Sequence, residues 1–295
     1  MDPIYRIKFY GDEQILFSSD LCKMQKQLET VEPGSYEKFL KYMYESFRTY
    51  KLSMKHIIDR NYNNAFQFFN LKNLLLLFKL KAFNNHYSHT KKFFKSDFLR
   101  SVFTFQNIYV GQNPFEASAI FAMLPFLELT DGVWFPKGGM FKIVENLVSI
   151  ATELGVEFEY NKAVSKITIE GKKTSGIQFE NGQIEKADLV IANADLPYVY
   201  DSLLPDKRVA SKIKKLDYTC SAFIFHFAMD KTYPKFEQHN VFVSNNYRDN
   251  IQAVFKEKKI PSDVSFYVHA PARHDSSAAP TGQDSITIIC TCWPL

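Results

Sequence analysis

Two short strings in this 295-residue chain have the composition to let a ligand come close. In Pro136-Lys137-Gly138-Gly139-Met140, two glycines precede a helical pattern. Bare backbone and the positive end of a helix dipole would there admit a ligand or a neighbouring strand, although a tight structural turn uses the same residues. Asn193-Ala194-Asp195 ends an apolar run, and the carboxyl end of a buried strand is where open α/β sheets bind ligands; capping of the next turn is the alternative use. Other chemistries lack their parts. The eleven glycines contain neither GxGxxG nor GxxxxGK[ST], so no complete dinucleotide fingerprint or P-loop is present in the sequence. No GxSxG elbow supports hydrolase chemistry. His86 and His89 would share a helical face, but no third metal ligand accompanies them, and in their basic surroundings they are expected to face solvent. Cys290 and Cys292 are expected to lie on one side of a strand without partners, and no CxxC pair suggests zinc.

The elements that must position these residues follow from periodicity. Residues 4–17 alternate apolar with polar around Gly11-Asp12, which predicts a hairpin. From Ser18 to Arg100 apolar spacings of three and four predict a helical block, broken at 31–35 with Ser35 as a possible N-cap. Met140 to Leu154 keeps helical spacing until Gly155. Strands are predicted over 156–160, 163–170 and 176–180, with a tight turn at Asn181-Gly182, and 187–195 suits a strand buried on both faces. Helix, meander and buried strand make an α/β unit. The last hundred residues predict a helix over 207–216, strands over 221–228, 241–244 and 265–269, and a loop over 271–280.

Composition is globular, with 46% apolar and 23% charged residues, which argues against disorder. No apolar run approaches the roughly 20 residues that a membrane-spanning helix needs. Four cysteines fit no disulfide framework, and the first residues lack the basic-then-apolar order of a signal peptide. The expectation is a reduced, intracellular setting, or a chain whose true start is elsewhere. Residues 51–100 carry ten Lys or Arg against Asp59 and Asp97, a local +8; the net +4 leaves −4 for the remainder. Within that segment, residues 66–83 mix Phe68, Phe69, Leu71, Leu75, Leu76 and Phe78 with Lys72, Lys79 and Lys81. This pattern fits either an interfacial helix on an anionic membrane or a buried helix whose lysines reach water. No recognition motif points to nucleic acid. The 28 Phe and 16 Tyr would fill a thick core or line a pocket for a long apolar ligand.

Four strings in order, VFTFQNIYVGQNPFEASAIFAMLPFLELTDGVWFPKGGM, LGVEFEYNKAVSKI, ADLVIANADLPYVYDSLLP and FYVHAPARHDSSAAP, resemble the phytoene desaturases of fungal and bacterial type. The likeness runs from DPIYRIKF to DSITII. It implies an FAD-dependent carotenoid desaturase of the wider flavin amine-oxidase fold: an α/β, two-domain oxidoreductase with interleaved dinucleotide-binding and substrate domains. This chain would be its central portion, without the family's GxGxxG unit. Residues 1–130 and 198–295 would belong to the substrate domain and 131–197 to the FAD-binding domain. The resemblance implies that the backbone of Val164 meets the adenine end of FAD and that Asn193, Ala194 and Asp195 lie near the same cofactor. Gly138 and Gly139 would sit at the junction of flavin and substrate, with Arg273 and Asp275 near the polyene. The implied partners are phytoene or a related polyene and a membrane surface, bound peripherally. A carotenoid- or lipid-binding module without catalysis, and an amine oxidase-like enzyme with another substrate, are the rival readings. The ending Cys290-Thr291-Cys292-Trp293-Pro294-Leu295 departs from the family's VPVGHL pattern, and a shift of one base in the reading frame would account for it.

Overall fold

The hairpin forms as its alternation requires: β1 (Tyr5–Phe9) and β2 (Gln14–Phe17) run antiparallel with Tyr5 opposite Phe17 and Lys8 opposite Gln14. The computed structural model describes residues 1–9, 11, 13–204, 206–216 and 218–292, so Asp12 of the expected turn and the tail residues Trp293 to Leu295 lie outside it. The chain divides into two units, Met1–Lys142 with Thr219–Leu295, and Ile143–Tyr218.

In the first unit, α1 (Leu21–Val31) begins where the Asp20 carboxylate accepts from the backbone N–H of Cys22 and Lys23 at 2.8 and 3.2 Å. α2 (Ser35–Ser53) starts differently from expectation. Gly34, at φ +77°, occupies the cap, and the Ser35 hydroxyl instead donates to the Leu28 carbonyl at 2.8 Å, tying α2 to α1. Glu29 does the capping, accepting from the N–H groups of Gly34 and Tyr36 at 2.7 and 2.9 Å. The apolar run over 66–83 is not one helix. Asn64 and Asn70 each cap a new start, giving α3 (Ala65–Phe68) and α4 (Leu71–Lys79), because their side chains accept from Gln67 and Asn73 N–H at 3.0 and 2.9 Å. There follow α5 (His86–Thr90), α6 (Asp97–Val102), a 3-10 segment Phe105–Val110 and α7 (Met123–Thr130).

α5 corrects the expectation for its histidines. His86 and His89 are buried, not solvent-facing. The five-residue helix packs inward, so His86 Nε2 meets the Tyr42 hydroxyl at 3.3 Å, its Nδ1 meets Asn107 Nδ2 at 3.1 Å, and His89 Nε2 lies 3.5 Å from Glu45. Burial pushes both imidazoles down, to about 3 and about 4, which leaves them neutral at neutral pH.

α8 (Phe141–Glu153) spans the passage between the units. The second unit continues as the antiparallel meander β3 (Val164–Glu170), β4 (Lys173–Phe179) and β5 (Ile184–Lys186), then α9 (Leu196–Tyr198), a π turn Val199–Leu203 and α10 (Lys207–Ile213). Asn181-Gly182 closes the β4–β5 turn as read from sequence. Gly176 sits at φ +151° against the Glu185 carbonyl, where a Cβ has no room. A small core forms around Ile167, Val199 and Leu203. Two predicted strands are absent. Neither 156–160 nor 187–195 forms a strand among the described residues; the Ala187 N–H donates to the Ser175 carbonyl at 3.1 Å, but Ile191 is 84% exposed instead of buried on both faces. An apolar run becomes a buried strand only when neighbours complete its ladder, and here the described ladder of the second unit joins only β3 to β4 and β4 to β5.

The first unit resumes with β6 (Ser221–Met229), β7 (His239–Val243), α11 (Tyr247–Gln252), β8 (Phe266–His269) and β9 (Asp284–Cys292). With the hairpin they form a six-stranded mixed sheet in the order β2-β1-β7-β8-β9-β6, in which β1 and β7 are the parallel pair. Cys290 and Cys292 belong to β9, opposite Phe223 and Ser221 of β6, and are free thiols. Much of the aromatic content goes into the core against the hairpin and helices. Phe94 stacks on Phe103 at 4.7 Å, Tyr5 on Phe17 at 4.8 Å, and Phe39 and Tyr42 are fully buried.

Candidate functional site: an apolar chamber on the mixed sheet

Seven aromatic residues of the first unit, Tyr5, Phe105, Tyr109, Phe242, Tyr247, Phe266 and Tyr267, face a chamber of about 870 Å³, large enough for a long small-molecule ligand. Strands β7 and β8 supply its floor through Val241, Phe242 and Phe266, and the 3-10 segment supplies Phe105, Ile108 and Tyr109. Its lining is mostly aliphatic and aromatic, so the few polar groups stand out.

One of them is Glu128, the single acidic residue of α7, which burial pushes up to about 7. Its Oε2 accepts from the Tyr5 hydroxyl and, at 3.3 Å, from Gln106 Nε2; the latter also donates to the Tyr5 oxygen at 2.9 Å. Tyr5 reaches this place because it opens the buried face of β1, wedged between Phe17 and Phe105. At another part of the lining, His239 Nδ1 meets the Tyr267 hydroxyl across the β7–β8 pair, and burial pushes that imidazole down to about 4. The buried Tyr247 hydroxyl has no partner among the described residues.

The sequence candidates fall in both units. Gly138 and Gly139 adopt φ +86° and +91°, and a Cβ on Gly139 would meet nothing within 4 Å. The Gly138 N–H donates to Asp275 Oδ2 at 2.9 Å, and that of Gly139 to the Pro136 carbonyl at 3.0 Å. The turn therefore offers space for close approach, while its N–H groups are already committed. Two candidates 137 residues apart in sequence, Gly138 and Asp275, are thus in direct contact. Asp275 also accepts from the hydroxyl and N–H of Ser277 at 2.6 and 3.0 Å, bonds that hold its carboxyl below the usual range. Arg273 pairs with the buried Asp284, which also accepts from Tyr233 N–H at 2.6 Å. Neither Arg273 nor Asp275 belongs to the chamber lining.

In the second unit Val164 opens β3, the edge strand of the meander. Its partner Phe179 spends both backbone groups on the turn to Gly182 and Gln183, so the Val164 N–H and C=O point to the free edge. Asn193, Ala194 and Asp195 lie exposed after Val190, outside any strand, and Asp195 precedes α9 without a side-chain capping bond. Glu128, Tyr5, Gln106 and the His239–Tyr267 pair were not legible as site residues. Only Glu128 leaves a signal in sequence, as a lone carboxylate in the apolar string MLPFLELT.

Residues 2–285 match the family described as flavin containing amine oxidoreductase. The chain is 38% identical over 289 residues to a zeta-carotene-forming phytoene desaturase of Myxococcus xanthus, covering 98% of this chain and 56% of that protein. It is 36% identical over 292 residues to a phytoene desaturase of Cercospora nicotianae, covering 98% and 47%. The chain therefore spans about half the length of the curated relatives it matches. Among solved structures, a Pyrococcus furiosus protein superposes with a TM-score of 0.57 at 13% identity, over 98% of this chain and 59% of that one. An oxidoreductase of Methanosarcina mazei gives 0.51 at 18% identity, over 76% and 51%. These two likenesses concern the fold.

Proposed function

The chain belongs to the flavin containing amine oxidoreductases, and on that premise we propose that it is part of an FAD-dependent desaturase acting on phytoene or a closely related polyene. The observation that carries this reading is the chamber of about 870 Å³, whose mostly hydrocarbon lining suits a substrate with little to hydrogen-bond. The likeness to relatives named phytoene desaturase supports the same substrate class. In this reading residues 131–197 contribute to the cofactor-binding portion and the rest to the substrate portion. The free backbone edge at Val164 would hold the adenine, Asn193 to Asp195 would lie along the cofactor, and Gly138 and Gly139 would leave room for the reacting ends to meet. FAD, when bound, supplies the hydride acceptor. The chain's own part is to exclude water and align the polyene, and alignment alone can be worth about 7–11 kcal/mol of barrier.

A lipid-soluble substrate calls for contact with its bilayer. Phe66 is 88% exposed and Phe69 73%, while Phe78 and Lys79 share α4 with Lys72; we assign this patch to docking on the surface of an anionic intracellular membrane. Lys81 is excluded from the patch, because it pairs with Glu45 at 2.5 Å. Reversing Lys72 and Lys79 to Glu is expected to reduce sedimentation with phosphatidylserine vesicles, and unchanged binding overturns the docking role.

The functional reading is tested with the 295-residue chain and with a longer protein containing it, each purified and mixed with FAD and phytoene in liposomes. The longer protein is expected to retain flavin absorbance and to convert phytoene to a product with red-shifted absorption. Retained flavin with no conversion overturns the proposal.

A further inference from the structure

Removing two hydrogens from adjacent saturated carbons releases a hydride and a proton, and the proton needs a destination among the groups that line the chamber. The proton-accepting groups of the lining are few. Burial raises the phenols of Tyr5, Tyr247 and Tyr267 and the thiol of Cys220, so each holds its own proton. His239 has Nδ1 engaged by Tyr267, and its Nε2 is buried without access. Glu128 is the one carboxyl group among the described lining residues.

We propose that Glu128 is the catalytic base that takes this proton, with Tyr5 and Gln106 as positioning residues that hold its carboxylate. The inference rests on the desaturase reading above. The hydride would leave one carbon for oxidised FAD, which would supply the acceptor and be reduced by it. The electron pair of the neighbouring C–H bond becomes the new π bond, and its proton forms an O–H bond with Glu128.

The hydrogen-bond pattern orients the group. Gln106 is fully buried, and its Nε2 donates to the Tyr5 oxygen at 2.9 Å, so the single Tyr5 hydrogen is directed to Glu128 Oε2. Gln106 donates to the same Oε2 at 3.3 Å. Oε1 is left without a protein partner among the described residues, on a side chain that lines the chamber. The surroundings also tune it. Desolvation raises the carboxyl to about 7 against the lowering effect of the two hydrogen bonds. The ionisable groups around it are the phenols of Tyr5, Tyr42 and Tyr109, themselves raised by burial and by the carboxylate, and no cation contributes to its shift. A base that ionises near the working pH is suited to proton transfer.

The test uses the longer flavin-loaded enzyme and single-turnover bleaching of the flavin by phytoene, followed against pH. The wild-type rate is expected to rise about tenfold per pH unit below about 7 and then level off. Glu128→Gln is expected to keep bound flavin and polyene binding, lose about 10²–10⁴-fold in rate and lose the pH dependence, with Glu128→Asp recovering part of both. Tyr5→Phe removes a donor that favours the carboxylate, so the inflection should move to higher pH, which a merely structural role would not produce. A readout without turnover accompanies it. A carboxyl raised on folding destabilises the fold as pH rises from 4.5 through about 7, so Glu128→Gln should raise the melting temperature at pH 8 and not at pH 4. An active enzyme whose rate and pH profile are indifferent to Glu128→Gln overturns this inference alone. A wild-type enzyme that binds flavin and leaves phytoene untouched overturns the desaturase reading and the role of Glu128 with it.

Discussion

In the first unit Phe94 and Phe103 stack inside a core walled by β1, β2 and the helices, whereas in the second Leu147 and Ile150 line one side of α8 at 61% and 54% exposure. Both regions satisfy the helical or strand periodicity of their sequence. What separates them is whether another element covers the apolar face. Periodicity selects the element, while burial needs a partner surface, and burial is where most of the stabilisation lies, about 1.5–3 kcal/mol for a large apolar side chain. The sharpest way to break this comparison is to truncate one residue on each side of it. Phe103→Ala should cost about 3–5 kcal/mol, and Leu147→Ala no more than about 0.5 kcal/mol, in denaturant unfolding followed by circular dichroism. Equal losses would mean that α8 is covered in solution.

The same distinction explains what was legible in the sequence. The β1–β2 hairpin, the β4–β5 turn at Asn181-Gly182 and helix α8 were readable because each is set by local pattern and turn chemistry. Gly138 and Gly139 were readable as a special backbone position, and both adopt positive φ. The sheet order was not, since the parallel pairing of β1 with β7 joins Arg6 to Asn240 across most of the chain. Nor was the contact of Gly138 with Asp275, or the gathering of Tyr5, Gln106 and Glu128, each of which depends on long-range packing. Solvent exposure was misjudged in both directions for one reason. His86 and His89 sit in a basic stretch yet are packed under α2, while Leu189 and Ile191 sit in an apolar run yet form no strand among the described residues and stay exposed.

The buried side of the comparison carries its own pH signature. His86, facing Tyr42, Asn107 and His89, is held neutral by burial, with its folded value about 3 against 6.5 for the free side chain. A histidine depressed in this way favours the fold fully above 6.5, and that contribution is lost as pH falls toward 3. By about pH 4.5 the loss should reach about 2–3 kcal/mol. His86→Gln should flatten the acid limb of the stability curve, measured by urea unfolding from pH 7 to pH 4. An unchanged limb would mean that His86 is accessible to water.

The smallest expected effect tests the exposed side most directly. Residues 187–195 have the composition of a strand buried on both faces but form no strand among the described residues, and Ile191 stands 84% in water. In the 295-residue chain Ile191→Lys should therefore change stability by no more than about 0.5 kcal/mol. If the longer protein supplies a neighbouring strand, the same lysine would enter a fully apolar layer. Charge burial would then add to the lost packing, for a cost above about 2 kcal/mol. Measured in both proteins by the same unfolding assay, a small effect in the short chain and a large one in the long chain would show that the apolar run is a strand awaiting its ladder. A small effect in both would leave it an exposed linker, and the position of Asn193 to Asp195 beside a cofactor would lose its structural basis.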